Sequence, residues 1–481
     1  MHSEFVREQR RYAQRDLCKI FSCPEDKTVS IIRKLKEFGV LKAVKAEEKQ
    51  RDMSELVEED IEISDVEVGE NEYLYLFTFV GVIVVSGIVL KCYPKYLIEA
   101  TKPEQELAQV IKVLEKYNSK EQIIRMFNDS SESRSFNLLA VLLFLLQDYY
   151  DNGVYNNTDD IVESNGLGEI LWDKTINETF AMITNNRPYY VNLQTKKRIT
   201  NEHDYFKRLH ECILTIASKE LEDAGLLRLF EIAGVDLTEE ELTDFGDKET
   251  VLYNIEKELS TQFNTRKQLV LKTIYTYIDH SGSLYDTDCL SLFGTNSFNL
   301  VWEKVCADIM DNQLDTRLGA LSLPTPLKNR YDKQMKLIDL IEKPLWTATG
   351  RTAADTLIPD IISISVINGE WQFIISDAKY YNAKLEPDNP PKAQPGIESV
   401  TKQYLYQLAY QEFINEHNFS AVKNCFLLPT EKDVVVDKKE VSLQMLSKLS
   451  LQSIKVRLIP AKTVFDNYLS GRKMDFSLLR L

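Results

Sequence analysis

The sequence predicts an α+β or α/β chain of several domains, and three observations support this fold class. Amphipathic segments with the helical period of 3.6 residues alternate with short runs of β-branched and aromatic residues. Asn368-Gly369 separates two such runs, and this dipeptide is typical of a β-hairpin with a type I′ turn. The chain has 481 residues, a length that favours roughly two to four domains.

Composition indicates a globular, cytoplasmic protein. Hydrophobic residues make up 44% of the chain and aromatic residues 10%, which is ample for buried cores. The seven cysteines are scattered, with no Cys-x-x-Cys pair and no zinc-site spacing, as is typical of reduced thiols. The N-terminal stretch "MHSEFVREQRRYAQRD" lacks the apolar core of a signal peptide.

The net charge of −16 is concentrated in one segment. Residues 46–72 contain twelve acids and two bases, so ten of the sixteen net negative charges lie there. The remainder of the chain is close to balanced. Because phosphate contacts depend on Lys and Arg, we expect this chain alone to bind duplex DNA weakly.

The first predicted domain, residues 1–72, combines a helical module with this acidic tract. Residues 1–45 are predicted to be helical, and one helix carries an apolar stripe and ends at a glycine. Two interpretations fit a helix, a glycine and then a short strand: a winged-helix-like module, or a helical protein-docking module whose acidic tract stands where a wing would be. The stripe and its stop residue are Val29, Ile32, Leu35, Phe38 and Gly39.

The second predicted domain, residues 73–285, begins with strands and continues with helices. The uncharged stretch 74–90 is short for a membrane span, is rich in Val, Ile and Phe, and lacks a basic flank. Paired buried strands reaching about Tyr96 explain it better, so no membrane association is expected. Further along, a turn is predicted at 165–169, and Trp172 is expected to pack. Helices are predicted at 103–117, at 136–150 and over 203–280, with breaks near 235–248 and 281–297.

The third predicted domain, residues 286–481, contains a helix that starts at Phe298 and the Asn368-Gly369 hairpin. The helix buries a stripe made of Phe298, Trp302, Val305 and Ile309. Another helix starts near Ser399 and places Gln403, Gln407 and Tyr410 on one face. "NCFLLPT" and "IKVRLIPA" are predicted as the last strands, and "VFDNYLSG" as a closing helix.

The hairpin ends in three charged residues. If its loop has two residues, Ile367 faces Glu370, Asp360 lies opposite Asp377, and Lys379 shares their face. Directly opposed residues have Cβ atoms about 4.5–5.5 Å apart, and opposed like charges are unfavourable. A shared divalent cation would remove that repulsion. The alternative is an exposed hairpin end whose charges are incidental.

Such a trio suits metal-assisted hydrolysis of a phosphodiester. Asp360 and Asp377 offer the hard oxygen ligands that Mg²⁺ prefers. A metal ion lowers the pKa of a bound water and stabilises the in-line transition state, and Lys379 can orient the attacking water.

Two resemblances rest on particular residues. Pro359-Asp360 followed by Asp377-Ala378-Lys379 resembles the core motif of the PD-(D/E)xK nucleases. "DIVESNGLGEILWDKTINETFAMITNNRPYYVNLQTK", "FVGVIVV", "YPKYL" and "FNLVWEKVC" resemble the LlaJI family of restriction endonucleases. That family includes the BsuMI-type component and is related to the McrC nuclease subunit. The resemblance covers roughly residues 70–480.

The resemblance implies more than the residues alone. It implies a C-terminal PD-(D/E)xK restriction-endonuclease-like mixed sheet flanked by helices, double-stranded DNA as substrate, Mg²⁺ with Mn²⁺ as a substitute, and an AAA+ GTPase partner like McrB. It also implies that Glu303 joins Asp360 and Asp377 at the metal and that Gln407 supports the site. Periodicity by itself places Glu303 off the centre of its helical stripe, where a solvated position is expected.

Two other functions remain open on the sequence. One is a non-catalytic DNA-binding or assembly subunit of a defence complex, and the other is a structure-specific DNA repair nuclease. The chain contains no GxxxxGK[ST] phosphate-binding loop, so any nucleotide hydrolysis through such a loop would belong to a partner.

Overall fold

The structure, a computed structural model, describes residues 1–45, 73–118, 136–200, 204–280, 282–286, 289–383, 385, 394–449 and 451–481. These residues form a mixed α+β protein with several sheets, as predicted. The acidic tract 46–72 lies outside the described residues.

Helices and strands alternate along the described chain. The helices are α1 Gln14–Phe21, α2 Glu25–Glu37, α3 Glu104–Asn118, α4 Leu138–Asn152, α5 Trp172–Glu178, α6 Tyr205–Asp223, α7 Lys248–Thr261, α8 Thr265–His280, α9 Phe298–Ile309, α10 Ile397–Glu416 and α11 Ala461–Ser470. The first twelve strands are β1 His2–Arg7, β2 Arg11–Tyr12, β3 Leu41–Lys45, β4 Tyr73–Phe77, β5 Val80–Val85, β6 Ile88–Tyr93, β7 Thr158–Ser164, β8 Glu169–Ile170, β9 Ala181–Thr184, β10 Arg187–Tyr190, β11 Gln194–Thr200 and β12 Leu290–Thr295. The remaining strands are β13 Leu345–Trp346, β14 Arg351–Thr352, β15 Ile361–Ile367, β16 Glu370–Ala378, β17 Ala421–Thr430, β18 Val436–Val441 and β19 Ile454–Pro460.

The chain divides into two compact units. One consists of Met1, Val84–Gly87 and Asp129–Ser291, and the other of His2–Ile83, Ile88–Asn128 and Leu292–Leu481. The second unit therefore combines residues from the start of the chain with residues from its end. The division into domains 1–72, 73–285 and 286–481 stays a prediction.

The N-terminal segment differs from the helical prediction. Strand β1 pairs in parallel with β6, in a sheet of order β1-β6-β5-β12. Helix α2 ends close to Gly39, whose φ of 65° is the left-handed conformation that glycine adopts without strain. Val29 is 42% exposed, so its place in the predicted stripe is wrong, and Ile31 is buried instead. The buried stripe of α2 runs through Thr28, Ile31, Ile32 and Leu35, so it is shifted around the helix from the predicted one.

The apolar stretch 74–90 forms strands, as predicted. Strand β4 pairs with β3 in a small antiparallel sheet, and β5 pairs with β6. Every residue of β5 and β6 is buried. In the part of the chain that the structure describes, no helix has the length and apolar character needed to cross a membrane.

The first unit contains helices α4 to α8 and two small sheets. The order of one sheet is β7-β11-β8, and β9 with β10 forms an exposed hairpin. The predicted turn after β7 is present, with Asn165 at a φ of 58°. Trp172 is 55% exposed, so the expectation that it packs is wrong. Its helix, α5, has only seven residues and buries Thr175 instead.

The second unit contains a five-stranded sheet of order β15-β16-β17-β19-β18. Strands β16, β17 and β19 run parallel, and the outer strands β15 and β18 are antiparallel to their neighbours. Helix α10 packs on one face, where Tyr410 joins the buried cluster around Phe373 and Ile375. The alternate side chains of β15 lie on the opposite face of the sheet. There, the hydroxyl of Ser363 donates a hydrogen bond to the carbonyl of Met310, the residue that follows α9.

Of three predictions for this region, two are confirmed and one is wrong in part. All four residues of the α9 stripe, Phe298, Trp302, Val305 and Ile309, are buried as predicted. The predicted strands and closing helix correspond to β17, β19 and α11. The break expected at 281–297 is wrong in part, because it contains strand β12, which completes the sheet of β1, β6 and β5.

Candidate active site

The β15–β16 hairpin has the predicted geometry. Asn368 and Gly369 have φ angles of 53° and 84°, and Ile367 pairs with Glu370 as a two-residue loop requires. Pairing continues to Ile361 and Ser376. The next position in this register sets Asp360 opposite Asp377, and the backbone N–H of Ala378 donates to Asp360 Oδ2 at 3.2 Å.

The three charged side chains meet at this end of the hairpin. Lys379 Nζ lies 2.8 Å from Asp377 Oδ1 and 3.8 Å from Asp360 Oδ2. Asp377 is buried, whereas Asp360 and Lys379 are partly buried. The backbone N–H of Lys379 donates to the carbonyl of Leu427 at 3.0 Å, so the neighbouring strand β17 holds the lysine in place. We call Asp360, Asp377 and Lys379 the charged trio.

Electrostatics within the trio follow from burial and close charges. Burial, a hydrogen bond shared with Asp377 and the charge of Asp377 raise the pKa of Asp360 to about 9. Burial lowers the pKa of Lys379, but the charges of Asp377 and Asp360 outweigh it and raise that pKa above its ordinary value. A proton on Asp360 and the ammonium of Lys379 therefore relieve the repulsion between the two carboxyls.

Glu303 extends this electrostatic environment from helix α9. Burial raises the pKa of its carboxyl, the charge of Lys379 lowers it, and the charge of Asp377 raises it. The side chain is only partly exposed, although periodicity predicted a solvated position. Trp302, next to it, anchors the helix by donating a hydrogen bond from Nε1 to the carbonyl of Leu427 at 3.3 Å. Glu303 thus lies within electrostatic range of the trio.

The polar face of α10 is buried, but its members have different partners. Gln407 Oε1 accepts a hydrogen bond from the backbone N–H of Gln452 at 3.0 Å. Gln403 Nε2 donates to the carbonyl of Ile375 at 3.1 Å, two residues before Asp377. The hydroxyl of Tyr410 donates to the carbonyl of Leu337 at 3.3 Å. Of these three side chains, Gln403 bonds to the strand that carries Asp377.

Tyr406 was not singled out from the sequence. Its hydroxyl donates to the carbonyl of Ile358 at 3.0 Å, close to the start of β15. Burial, and then the charges of Asp377 and Asp360, raise its pKa to about 12. It follows Gln403 by three residues on α10, so the helical spacing that selected Gln407 and Tyr410 could also have selected Tyr406.

A second buried polar cluster adjoins the trio. The hydroxyl of Tyr380 donates to Glu8 Oε2 at 2.5 Å, and the backbone N–H of Lys95 donates to the same oxygen at 3.1 Å. Lys95 Nζ lies 4.5 Å from the centre of the Tyr380 ring. Burial raises the pKa of Glu8. No sequence pattern links these residues, because they are separated by up to 372 positions.

The two carboxyls suit a Mg²⁺ ion better than a metal ion that is held entirely by protein side chains. Asp377 Oδ1 is buried, and its close contact among the described residues is the ion pair with Lys379 Nζ at 2.8 Å. Within the described ranges, no group of three or more His, Cys, Asp or Glu side chains is arranged to hold a metal. Mg²⁺ is usually held by one or two carboxylates and keeps several waters, so the Asp360–Asp377 pair suits it.

Known proteins resemble this chain in structure and in sequence. In an assembly of Thermococcus gammatolerans McrB AAA+ hexamers with bound McrC, one chain aligns with 98% of this chain over 99% of its own length. That alignment has 11% identity and a TM-score of 0.35. A chain of the McrBC complex of the same organism aligns with 58% of this chain over 79% of its length, with 12% identity and a TM-score of 0.23.

Sequence comparison gives the stronger relationship. The type II restriction enzyme BsuMI component YdjA of Bacillus subtilis (strain 168) is 26% identical over 411 residues, which cover 82% of this chain and 81% of that protein. The family model of the LlaJI restriction endonuclease matches residues 79–459. The residues that suggested this resemblance, among them the charged trio, lie within that range, and the chain belongs to the LlaJI restriction endonuclease family.

Proposed function

We propose that this chain is a Mg²⁺-dependent DNA endonuclease, the cutting subunit of a bacterial restriction system. One observation carries the proposal: Asp360, Asp377 and Lys379 meet at the end of one hairpin in a chain of a restriction endonuclease family. The five-stranded mixed sheet, on which helix α10 packs, supports the PD-(D/E)xK part of the proposal.

The trio has distinct roles in this proposal. Asp360 and Asp377 would hold the metal ion, Asp360 in its ionised form. The ion would supply a water of lowered pKa and positive charge for the transition state. The ammonium of Lys379 orients the attacking water and stabilises the charge that develops on the phosphate. Mn²⁺ would substitute for Mg²⁺, because both ions prefer oxygen ligands.

Glu303 and Gln407 act at the margins of the site in this proposal. Glu303 would join Asp360 and Asp377 in holding the ion, and its position in the electrostatic field of Lys379 and Asp377 supports this role. Gln407 supports the site indirectly, by fixing the chain at Gln452 beside strand β19.

We infer an AAA+ GTPase of the McrB type as partner. The chain has no P-loop and a net charge of −16. Its relative is named as one component of a restriction enzyme. Weak DNA affinity of the cutting subunit would leave control of cleavage to the partner. The region 73–285 is the proposed docking region, and the α1–α2 pair followed by β3 is proposed as a winged-helix-like module.

The test is a cleavage assay on double-stranded DNA with Mg²⁺, with and without the GTPase partner and GTP. We expect Asp360→Ala and Asp377→Ala to abolish cutting, because each removes a proposed metal ligand. Thermal stability should be unchanged or raised, because each substitution leaves a single carboxyl at this end of the hairpin. The exposed acid Asp433, changed to Ala, is the matched control and should cut normally.

The assay separates the parts of the proposal. Retained cutting by either trio variant would remove the proposed metal site. Rapid site-specific cutting by the isolated wild-type chain would refute the dependence on a partner and leave the assignment of the trio intact.

A further inference from the structure

A small exposed hairpin leads into the active-site strand. Strands β13 and β14 form it, and every residue from 342 to 352 is exposed. Trp346 pairs with Arg351, and the loop between them is closed by hydrogen bonds from Thr349 N and Gly350 N to the carbonyl of Trp346. We call residues 343–353 the Trp346 hairpin. An isolated two-stranded hairpin is marginally stable in water, so this one is suited to being covered by a binding partner.

Charge indicates what that partner is. Residues 343–354 contain Lys343 and Arg351 and no acid, in a chain whose net charge is −16. Neither basic side chain pairs with an acid among the residues that the structure describes. Trp346 is 66% exposed and, as a directly paired residue, shares a face of the ribbon with Arg351. An exposed tryptophan beside unpaired cations suits a polyanion that also offers flat apolar rings.

Both ends of the hairpin are anchored in the core beside the active site. Ile341, just before it, is buried in the cluster that packs on β15 and β16. After it, Thr356 Oγ1 donates to the carbonyl of Glu342 at 2.7 Å. The carbonyl of Ile358 accepts the hydrogen bond from Tyr406, whose pKa responds to the trio. The hairpin therefore has a fixed base.

The chain length from the hairpin to Asp360 limits the distance between them. Six residues lie between Ala353 and Asp360, and the chain from one to the other spans about 25 Å at most. That is shorter than one turn of B-DNA, about 34 Å, and the major groove admits a two-stranded β-ribbon. A duplex with its cut phosphate at the trio would present a groove within reach of the hairpin.

We propose that the Trp346 hairpin enters a groove of the duplex within one helical turn of the cut, with Lys343 and Arg351 on phosphates and Trp346 against the sugar–base surface. This rests on the proposed nuclease function and adds the element that grips the substrate. Without a metal ion, the ammonium of Lys379 is paired with the carboxyl of Asp377, so the trio offers phosphate no excess positive charge. A separate phosphate-binding element is therefore required.

The experiment measures binding of the full-length chain to a short fluorescent duplex without Mg²⁺, at several low salt concentrations. We expect Lys343→Ala and Arg351→Ala each to weaken binding by about 5- to 10-fold and to reduce the slope of log K against log salt by about 1. Trp346→Ala should weaken binding by about 5-fold or more with an unchanged slope, and Trp346→Phe should restore part of the affinity. Thermal melts of all variants should match wild type, because the side chains are exposed.

Matched controls come from the other unit. Trp172 and Arg187 are also exposed, the latter on the β9–β10 hairpin, and Trp172→Ala and Arg187→Ala should bind the duplex like wild type. Wild-type affinity and slope in the Trp346 hairpin variants, or no duplex binding by wild type at low salt, would overturn the proposal. Variants that bind DNA normally but no longer cut it when the partner is present would also overturn the proposal, because the hairpin would then contact the partner protein. In each case, continued loss of cutting in Asp377→Ala would leave the proposed nuclease function standing.

Discussion

At the scale of single residues, the charged trio is a compact set of compensating charges. Asp377 is buried and depends on Lys379 as its counter-charge, while Asp360 keeps a proton. A cation that binds the carboxyl of Asp360 takes the place of its proton. The ammonium of Lys379 therefore balances the charge of Asp377, and either a proton or a metal ion balances that of Asp360.

Lys379→Met should separate chemistry from binding. We expect cleavage to fall by about 10²- to 10³-fold, because the ammonium no longer stabilises the developing charge. Mg²⁺ should still bind, since both carboxyls remain. Single-turnover cleavage and calorimetric titration measure the two effects. Lys304→Met, which removes an exposed lysine paired with Asp308, is the control, and a wild-type cleavage rate in Lys379→Met would make Lys379 a structural residue.

The raised pKa of Asp360 makes stability depend on pH. A carboxyl whose pKa is higher in the folded state than the ordinary 3.8 stabilises the fold at low pH, and this contribution is lost as pH rises toward about 9. In EDTA, thermal melts of wild type should therefore fall across that range more steeply than those of Asp360→Asn. Buried Glu8 has a shift of the same sign, but it is present in both proteins and cancels in the comparison.

The same proton links metal binding to pH. Mg²⁺ affinity should rise with pH and reduce the stability difference between wild type and Asp360→Asn at high pH. Parallel melting curves for the two proteins across the whole range would show that Asp360 titrates normally.

At the scale of secondary-structure elements, two glycines illustrate different demands on the backbone. Gly369 closes the β15–β16 hairpin with a φ of 84°, and a Cβ there would meet no atom within 4 Å. Gly81 has a φ of 139° in β5, and a Cβ there would clash with the carbonyl oxygen of Phe293 in β12. The first position needs only a backbone conformation, whereas the second also needs close approach of two strands.

Alanine substitutions should therefore differ in cost. Gly369→Ala should lower the free energy of unfolding by about 1–2 kcal/mol, the strain of a left-handed residue. Gly81→Ala should cost about 3 kcal/mol or more, because the strand itself has to move. Urea unfolding of both variants measures the difference. Equal costs would mean that β5 and β12 separate without penalty.

At the scale of the whole molecule, residues from both ends of the chain build one unit. Glu8 and Lys95 contact Tyr380, the residue after Lys379. The N-terminal strands are therefore part of the environment of the charged trio. The acidic tract lies between two strands of this unit, β3 and β4, whose ends are paired at Lys45 and Tyr73.

Replacing residues 46–72 by Asn-Gly should leave the fold intact. Lys45 and Tyr73 already face each other, so a two-residue turn can join them. We expect the free energy of unfolding to change by less than about 1 kcal/mol. The net charge would change from −16 to −6, which removes ten of the sixteen net negative charges, and DNA binding at low salt should strengthen. Circular dichroism melts and duplex binding measure both effects.

A variant with Ser and Gly in place of the acids, at the original length, is the control that separates charge from chain length. Loss of cooperative unfolding in the shortened chain, but not in this control, would mean that the tract contributes to folding.

The sequence by itself determined what depends on local geometry. Asn368-Gly369 set the hairpin register, because a type I′ turn fixes the pairing of every following residue, and that register brought Asp360 opposite Asp377. Periodicity also identified the buried stripe of α9. By contrast, β1 was missed because a six-residue strand whose partner is β6 carries little local signal.

Only the tertiary structure decided which side chains surround the trio. The charges of Asp377 and Lys379 act on Glu303, Gln403 bonds to the strand that carries Asp377, and Tyr406 bonds just before β15. Glu8 reaches Tyr380 from the other end of the chain. These contacts arise when separate elements pack on one sheet. Such packing depends on the shapes and burial of many residues together, which the spacing within one element does not encode.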